Sequence, residues 1–209
     1  DLDESDAITL TDVDTNDGTI TVDAGGALTV TDVASGTNGN IVLSTSSGDI
    51  TGLATVNAGS GNVTLNSAGA IVDDGSSGTV ITGGVLTADA AGAITIDSTV
   101  TSANISTSAA GAVDLDESDA ITLTDVDTND GSITVDAGGL ITATDVVASG
   151  GSGDSVTLST TTGGAVATLV TGADAVSITA NAGDITIGSV TATAGTLGVT
   201  ATAGSINDA

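Results

Sequence analysis

The sequence lacks Lys, Arg, His, Cys, Pro, Met, Phe, Tyr and Trp throughout its 209 residues. These absences exclude a core of aromatic side chains, disulfide bonds, and catalysis that pairs Ser or Cys with His. The formal net charge of −27 has no internal cation to balance it, so we expect no binding to the phosphates of nucleic acids. No apolar run approaches the roughly 20 residues of a membrane-spanning helix, and we expect no membrane insertion.

The residues that are present are mostly Gly, Ala, Ser, Thr, Val, Ile, Leu, Asp and Asn. Small and β-branched side chains fill a core best where similar layers of strands stack at a short, fixed spacing. Hydrophobic residues make up 39% of the chain, which is too many for a disordered acidic segment. The composition therefore favours a repeat architecture.

A long internal repeat organises the chain. Residues 1–33 recur at 114–146, an offset of 113 residues, with substitutions only at Thr19, Ala27, Leu28 and Val30 of the first copy. This divides residues 1–209 into copies 1–113 and 114–209, and we expect one β-solenoid segment whose second copy is one coil shorter. The repeat, the absence of a signal peptide and the first residue, Asp1, lead us to expect an excerpt of a longer polypeptide.

Short strands of alternating apolar and polar residues line up in three columns, separated by Gly, Asn, Asp and Ser. The first column is Ile20, Ile41, Val63, Val85, Val113, Ile133, Val156, Val176 and Leu197; the second is Ile8, Leu28, Ile50, Ile71, Ile94, Ile121, Ile141, Val166, Ile185 and Ile206; the third is Val13, Val33, Val56, Val80, Val100, Val126, Val146, Leu169 and Val190. The mean spacing is about 22 residues. The pattern predicts an all-β, right-handed parallel β-helix (β-solenoid) with three short strands per coil. The longer gap before Val113 predicts a corner insertion near Ser98–Ala110.

The motifs Gly39-Asn40-Ile41, Gly48-Asp49-Ile50, Gly61-Asn62-Val63-Thr64-Leu65 and Gly183-Asp184-Ile185-Thr186-Ile187 resemble the β-helical repeats of filamentous haemagglutinin-like adhesins and other giant bacterial surface proteins. That resemblance implies export, an extended stalk, and adhesion or surface coating. Gly150-Gly151-Ser152-Gly153-Asp154 approaches the nonapeptide of calcium-binding β-rolls, but Asp154 is one place early and the coil is too long. Curli-type amyloid repeats require regularly spaced Gln, which the chain lacks.

Acidic residues are concentrated in the two copies of the 33-residue block, which hold 18 of the 27. Within each block, oxygen-bearing side chains alternate in a run that resembles a calcium-binding loop, although an EF-hand would place its Gly one position earlier. We therefore predict Ca²⁺ as a possible cofactor, with the ligands Asp12, Asp14, Asn16 and Asp17 in the first copy and Asp125, Asp127, Asn129 and Asp130 in the second. The alternative is that these carboxylates are solvated corners.

Outward Thr residues follow the second column, at Thr9, Thr29, Thr51, Thr95, Thr122, Thr142 and Thr186. Flat Thr arrays on solenoids resemble ice-binding faces, but exposed Thr is also simply a good strand former. Paired carboxylates leave glycoside hydrolysis formally open. Without aromatic residues to stack on sugars or a long loop to form a cleft, we expect no enzymatic activity.

These observations predict a structural or adhesive rod or filament segment of an extracellular or cell-surface bacterial protein. The alternative is an ice-binding or calcium-dependent binding module built on a β-solenoid. The expected partners are the chain itself, by head-to-tail stacking or by continuation of a longer chain, and a surface receptor.

Overall fold

A computed structural model describes residues 1–76, 78 and 80–209. All regular secondary structure in these residues is β-strand, and the strands stack in parallel as a β-solenoid of about 10 turns with roughly 20 residues per turn. In the described residues there is no helix with the length and apolar character needed to cross a membrane. The predicted all-β solenoid is confirmed.

The strands in chain order are β1 (Leu2–Glu4), β2 (Ile8–Leu10), β3 (Val13–Asp14), β4 (Ile20–Ala24), β5 (Leu28–Val30), β6 (Asp32–Ala34), β7 (Ile41–Thr45), β8 (Ile50–Leu53), β9 (Thr55–Asn57), β10 (Val63–Ser67), β11 (Ile71–Asp73), β12 (Ile81–Ala90), β13 (Ile94–Ala110), β14 (Val113–Glu117), β15 (Ile121–Asp130), β16 (Ile133–Ala137), β17 (Ile141–Ala143), β18 (Val146–Ala148), β19 (Val156–Thr160), β20 (Ala165–Gly172), β21 (Val176–Ala180), β22 (Ile185–Ala192), β23 (Leu197–Ala201) and β24 (Ile206–Asp208).

Parallel pairing sorts these strands into three faces. The first face stacks β1, β4, β7, β10, the second half of β12, the last part of β13, the second half of β15, β18, and the second halves of β20 and β22. The second face stacks β2, β5, β8, β11, the start of β13, β14, β16, β19, β21 and β23. The third face stacks β3, β6, β9, the start of β12, the middle of β13, the start of β15, β17, the starts of β20 and β22, and β24.

The core consists of aliphatic residues stacked directly over one another. On the first face Val22 pairs with Leu43, Leu43 with Leu65, and Leu65 with Ala88. Buried and outward residues alternate along β10, as expected for strands with one face in the core. Each layer is covered by the next at about 4.8 Å, so stability comes from stacking and not from any single turn.

The predicted second column is correct from Ile8 to Ile94, but the first and third columns are wrong from Val85 and Val80 onward, where Leu86 and Ile81 stack in their place. Val113 does not stack above Val85: it pairs with Ile94 on the second face, while Val85 is 38% exposed and its neighbour Leu86 enters the core. The predicted corner insertion near Ser98–Ala110 is also wrong, because β13 is one continuous strand that bends round the second, third and first faces. The residues of the predicted first column therefore divide between two faces.

The long repeat consequently advances by five turns and one additional face. Above Ile8 the second face holds Leu28, Ile50, Ile71, Ile94 and Val113, whereas the equivalent of Ile8 in the second copy, Ile121, lies on the third face. Two nearly identical blocks thus occupy different sides of the solenoid. Their acidic side chains are rotated relative to each other by about a third of a turn.

Candidate functional site

The predicted calcium ligands of the first block lie on a strand and the turn that follows it. Asp14 ends β3, and the chain then turns at Asn16 and Asp17, where Asp17 has a positive φ of 70°. The Asp17 carboxylate accepts hydrogen bonds through Oδ1 from the backbone N–H groups of Thr37 (2.6 Å) and Asn38 (3.2 Å) in the next turn. Asp17 therefore ties one corner to the next, which occupies one of its oxygens.

The equivalent ligands of the second block adopt a different conformation. Asp125, Asp127 and Asn129 alternate on the outward side of β15, and Asp130 ends that strand. Alternate residues on a strand are about 6.7 Å apart, so this stretch is extended and does not wrap round one point. The Asn129 side chain donates from Nδ2 to the backbone oxygen of Ser108 at 3.4 Å.

What the structure does bring together is a pair of carboxylates in each block, facing a third from the next turn. Asp12 and Asp32 lie close to Asp14, and the pKa of Asp14 is raised by loss of hydration first and then by the negative charges of Asp12 and Asp32. In the second block the pKa of Asp127 is raised to about 6, by partial burial first and then by Asp125 and Asp145.

In the second block the carboxylate from the next turn is Asp145, and one of its oxygens lacks a hydrogen-bond donor in the described residues. This oxygen, Asp145 Oδ1, is buried. The strand that follows Asp145, β18, pairs with β15 in register. In each block, two of the four predicted ligands thus lie close together beside a third carboxylate that was not among the predicted ligands. This third carboxylate is Asp32 in the first block and Asp145 in the second. The sequence feature that could have identified Asp32 and Asp145 is that they are equivalent positions of the two repeat copies.

A separate acidic group lies on the first face. One carboxylate oxygen from each of Asp1, Asp3 and Asp23 falls within 4.8 Å of the others, and all three residues are exposed. Asp3 and Asp23 are direct register partners on β1 and β4. The Asp23 carboxylate also accepts a hydrogen bond from Ser44, its neighbour on β7.

In the second copy the equivalent residues lie on the second face and form part of a longer ladder. Asp97, Asp116 and Asp136 occupy successive turns as direct register partners. The pKa of Asp116 is raised by partial burial, then by Asp114, Asp97 and Asp136, with a smaller contribution from Asp73. Asp73 is itself buried, and its pKa is raised mainly for that reason.

Beside this ladder is Glu117, a carboxylate that is only 3% exposed. Its Oε2 accepts hydrogen bonds from Ser98 Oγ (2.8 Å) and the Val100 N–H (3.0 Å), and its Oε1 accepts one from the Asp119 N–H (3.3 Å). Burial nevertheless raises the pKa of Glu117, since the three donors only partly replace its hydration.

An open cavity of about 250 Å³ adjoins Glu117 and is lined by Gly78, Asp97, Ser98, Asp116, Glu117 and Ser118. Glu117 was not among the predicted site residues, although the alternation along β14 indicates its buried position. Val113, Leu115 and Glu117 share one phase of the alternation along β14, which places all three in the core. The equivalent Glu4 in the first copy is half-buried.

The outward Thr residues do not form one array. Thr9, Thr29 and Thr51 are register neighbours on the second face, whereas Thr122 and Thr142 pair on the third. The change of face between the two copies divides the predicted column into two shorter ones. A single flat Thr surface along the full solenoid is therefore not formed by these residues.

No known protein family matches the chain, and no curated protein or solved structure shows significant similarity to it.

Proposed function

We propose that this chain is a structural or adhesive segment of an extracellular rod on a bacterial cell surface. The observation that carries the proposal is the uninterrupted parallel stack of about 10 turns around one aliphatic core. At about 4.8 Å per turn, such a stack is a rod of roughly 45–50 Å. Its dimensions along the axis depend only on the number of turns, which is the property a spacer or stalk requires.

The surface chemistry supports a non-enzymatic role. The side chains available to a substrate are carboxylates, hydroxyls and amides, because the chain has neither cations nor aromatic residues. Its one deeply buried Glu, Glu117, already accepts three hydrogen bonds. A group held in this way ties strands together and has little freedom to transfer a proton to a substrate.

The resemblance to filamentous haemagglutinin-like adhesins supports an exported location and a partner on another surface. The strand motifs that carry this resemblance occur on all three faces, for example in Ile50–Leu53 on the second, Val63–Ser67 on the first and the start of Ile185–Ala192 on the third. Continuation of the same stack, either along a longer chain or by a second copy, is the partner that parallel strand edges favour.

Deletion of one turn tests the rod directly. Ile50 and Ile71 are register partners one turn apart, so removal of residues 50–70 should keep every face in phase. We expect small-angle scattering and electron microscopy to show a thin rod that is shorter by about 4.8 Å. Removal of residues 50–60 is the matched control, because it breaks the phase and should cause a loss of folded structure. A compact particle whose length is unaffected by the first deletion would refute the rod.

Calcium-dependent stabilisation is the second candidate function. The observations that favour it are the grouped oxygens of Asp1, Asp3 and Asp23 and the buried, unpartnered Oδ1 of Asp145 beside Asp127. Calcium takes six to eight oxygen ligands and tolerates irregular geometry, so water could complete either group. Ice binding is the remaining alternative, and thermal hysteresis measurements on the purified chain would test it.

A further inference from the structure

We propose that the carboxylates stacked around Glu117 act as a proton-operated clamp, which fastens the middle turns of the rod at mildly acidic pH and loosens them at neutral pH. This goes beyond the rod function, because it gives one region of the rod a response to its surroundings. Three features of the middle turns produce this response: a buried carboxylate that bridges two turns, a ladder of carboxylates in register, and a sequence without any Lys, Arg or His.

The bridge is formed by Glu117. The Ser98 and Val100 donors belong to β13 in the turn below, whereas the Asp119 N–H belongs to the same turn as Glu117. A protonated carboxyl keeps acceptor capacity for such contacts and gains an O–H donor. Protonation therefore need not break the bridge, and it removes the cost of a buried negative charge.

Every titratable group that faces this bridge is acidic. Asp119 acts on Glu117 directly. Asp116, the outward neighbour of Glu117 on β14, is surrounded by Asp114 on its own turn, Asp97 and Asp73 on the turns below, and Asp136 on the turn above. The chain has no Lys, Arg or His with which any of them could pair. Two of these carboxylates, Asp97 and Asp116, line the same 250 Å³ cavity as Glu117.

The sign of the pH dependence follows from the direction of the pKa shifts. Burial raises the pKa of Glu117, while burial and neighbouring carboxylates raise that of Asp116 and of Asp73. The folded chain then binds more protons than the unfolded chain between the ordinary and the raised pKa values. This contribution to stability is complete below the ordinary pKa of about 4 and is lost as pH rises through the raised values. Asp74 acts in the opposite direction, because hydrogen bonds from Ser76 lower its pKa.

The test is thermal unfolding of the whole chain between pH 7.5 and 4.5, at constant ionic strength and in a chelator. The variants are Glu117→Gln and Asp97→Asn, with Asp208→Asn as the control that removes one exposed charge far from the clamp. The melting temperature of the parent should rise as pH falls, by roughly 2–4 °C for each unit of raised pKa. The slope should be smaller in Glu117→Gln and Asp97→Asn and unchanged in Asp208→Asn.

Carbon-13 NMR of the carboxyl groups of Glu117 and Asp116 in the parent gives a second readout that does not require any variant to fold. Both should titrate above their ordinary pKa values of about 4.3 and 3.9. Ordinary titration midpoints at both residues would overturn the proposal. A parent whose melting temperature falls between pH 7.5 and 4.5, or an Asp97→Asn slope equal to that of the parent, would overturn it as well.

Discussion

The stacked core predicts that the cost of truncating a leucine depends on the turns above and below it. Leu65 is 0% exposed and lies between Leu43 and Ala88 on the first face. Leu65→Ala removes buried methyl groups and leaves a cavity that the flanking layers cannot fill, since hydrogen bonds fix their spacing. We expect a loss of about 3–5 kcal/mol in the free energy of unfolding.

Leu197 provides the matched control, because it is the same residue type on an end turn and is 50% exposed. Leu197→Ala removes about half of the transfer free energy and leaves no closed cavity, so the expected loss is about 1 kcal/mol. Urea unfolding followed by circular dichroism measures both. Leu65→Ala should lower the midpoint by roughly 1–2 M, several times more than Leu197→Ala. Equal losses would refute the reasoning that neighbouring turns supply the stability of each layer.

Three other predictions follow from the corners and the carboxylates. A Cβ at Gly138 would collide with the backbone oxygen of Ser118, whereas one at Gly198 would meet no atom of the described residues within 4 Å. Gly138→Ala should therefore lower the melting temperature and Gly198→Ala should not. Similar melting temperatures would contradict the close approach of neighbouring turns. Millimolar calcium should raise the melting temperature more than sodium chloride of matched ionic strength does. The Asp14→Asn, Asp127→Asn double variant should lose that difference. A double variant that responds to calcium like the parent would eliminate the metal assignment. In chelator, Asp127→Asn should stabilise the chain by about 1 kcal/mol at pH 7.5, a value reduced for solvent screening, and by less at pH 5. The reason is that the pKa of Asp127 is raised to about 6, so its repulsion with neighbouring carboxylates is lost as pH falls through that value. Equal stabilisation at both pH values would contradict this prediction.

Much of the fold could be predicted because strand alternation and Gly-rich corners are local signals. The buried phase of Val63 and Leu65, for example, is readable from the sequence and is the phase that the structure shows. The order of the faces beyond Ile94 was not predicted, since the similarity of the two long repeats suggested equivalent positions. Sequence identity specifies which residues face inward, but the number of faces crossed between two copies depends on everything that lies between them.

The bend of the chain within β13 was not predicted, although the burial pattern along this strand indicates it. Buried residues occupy even positions from Ile94 to Val100 and odd positions from Ala103 to Thr107. One such slip in phase marks a bend without any Gly or Asn, so a search for corner residues alone does not find it. Glu117 was missed for a related reason: its charge suggested a surface position, although its phase along β14 indicated the core.

The extra face in the long repeat also determines how the acidic blocks interact. Ile8 and Ile121 are separated by about five turns, which is about 24 Å along the axis at 4.8 Å per turn, and their blocks are also rotated by a face. This distance exceeds the Debye length of about 10 Å at 0.1 M salt, so the two blocks barely repel each other. The repulsion that matters lies between turns in direct contact, such as those of Asp97, Asp116 and Asp136. The charge must therefore be relieved locally, among neighbouring turns, with ions or protons, and a longer chain built from the same repeat would add little repulsion between successive blocks.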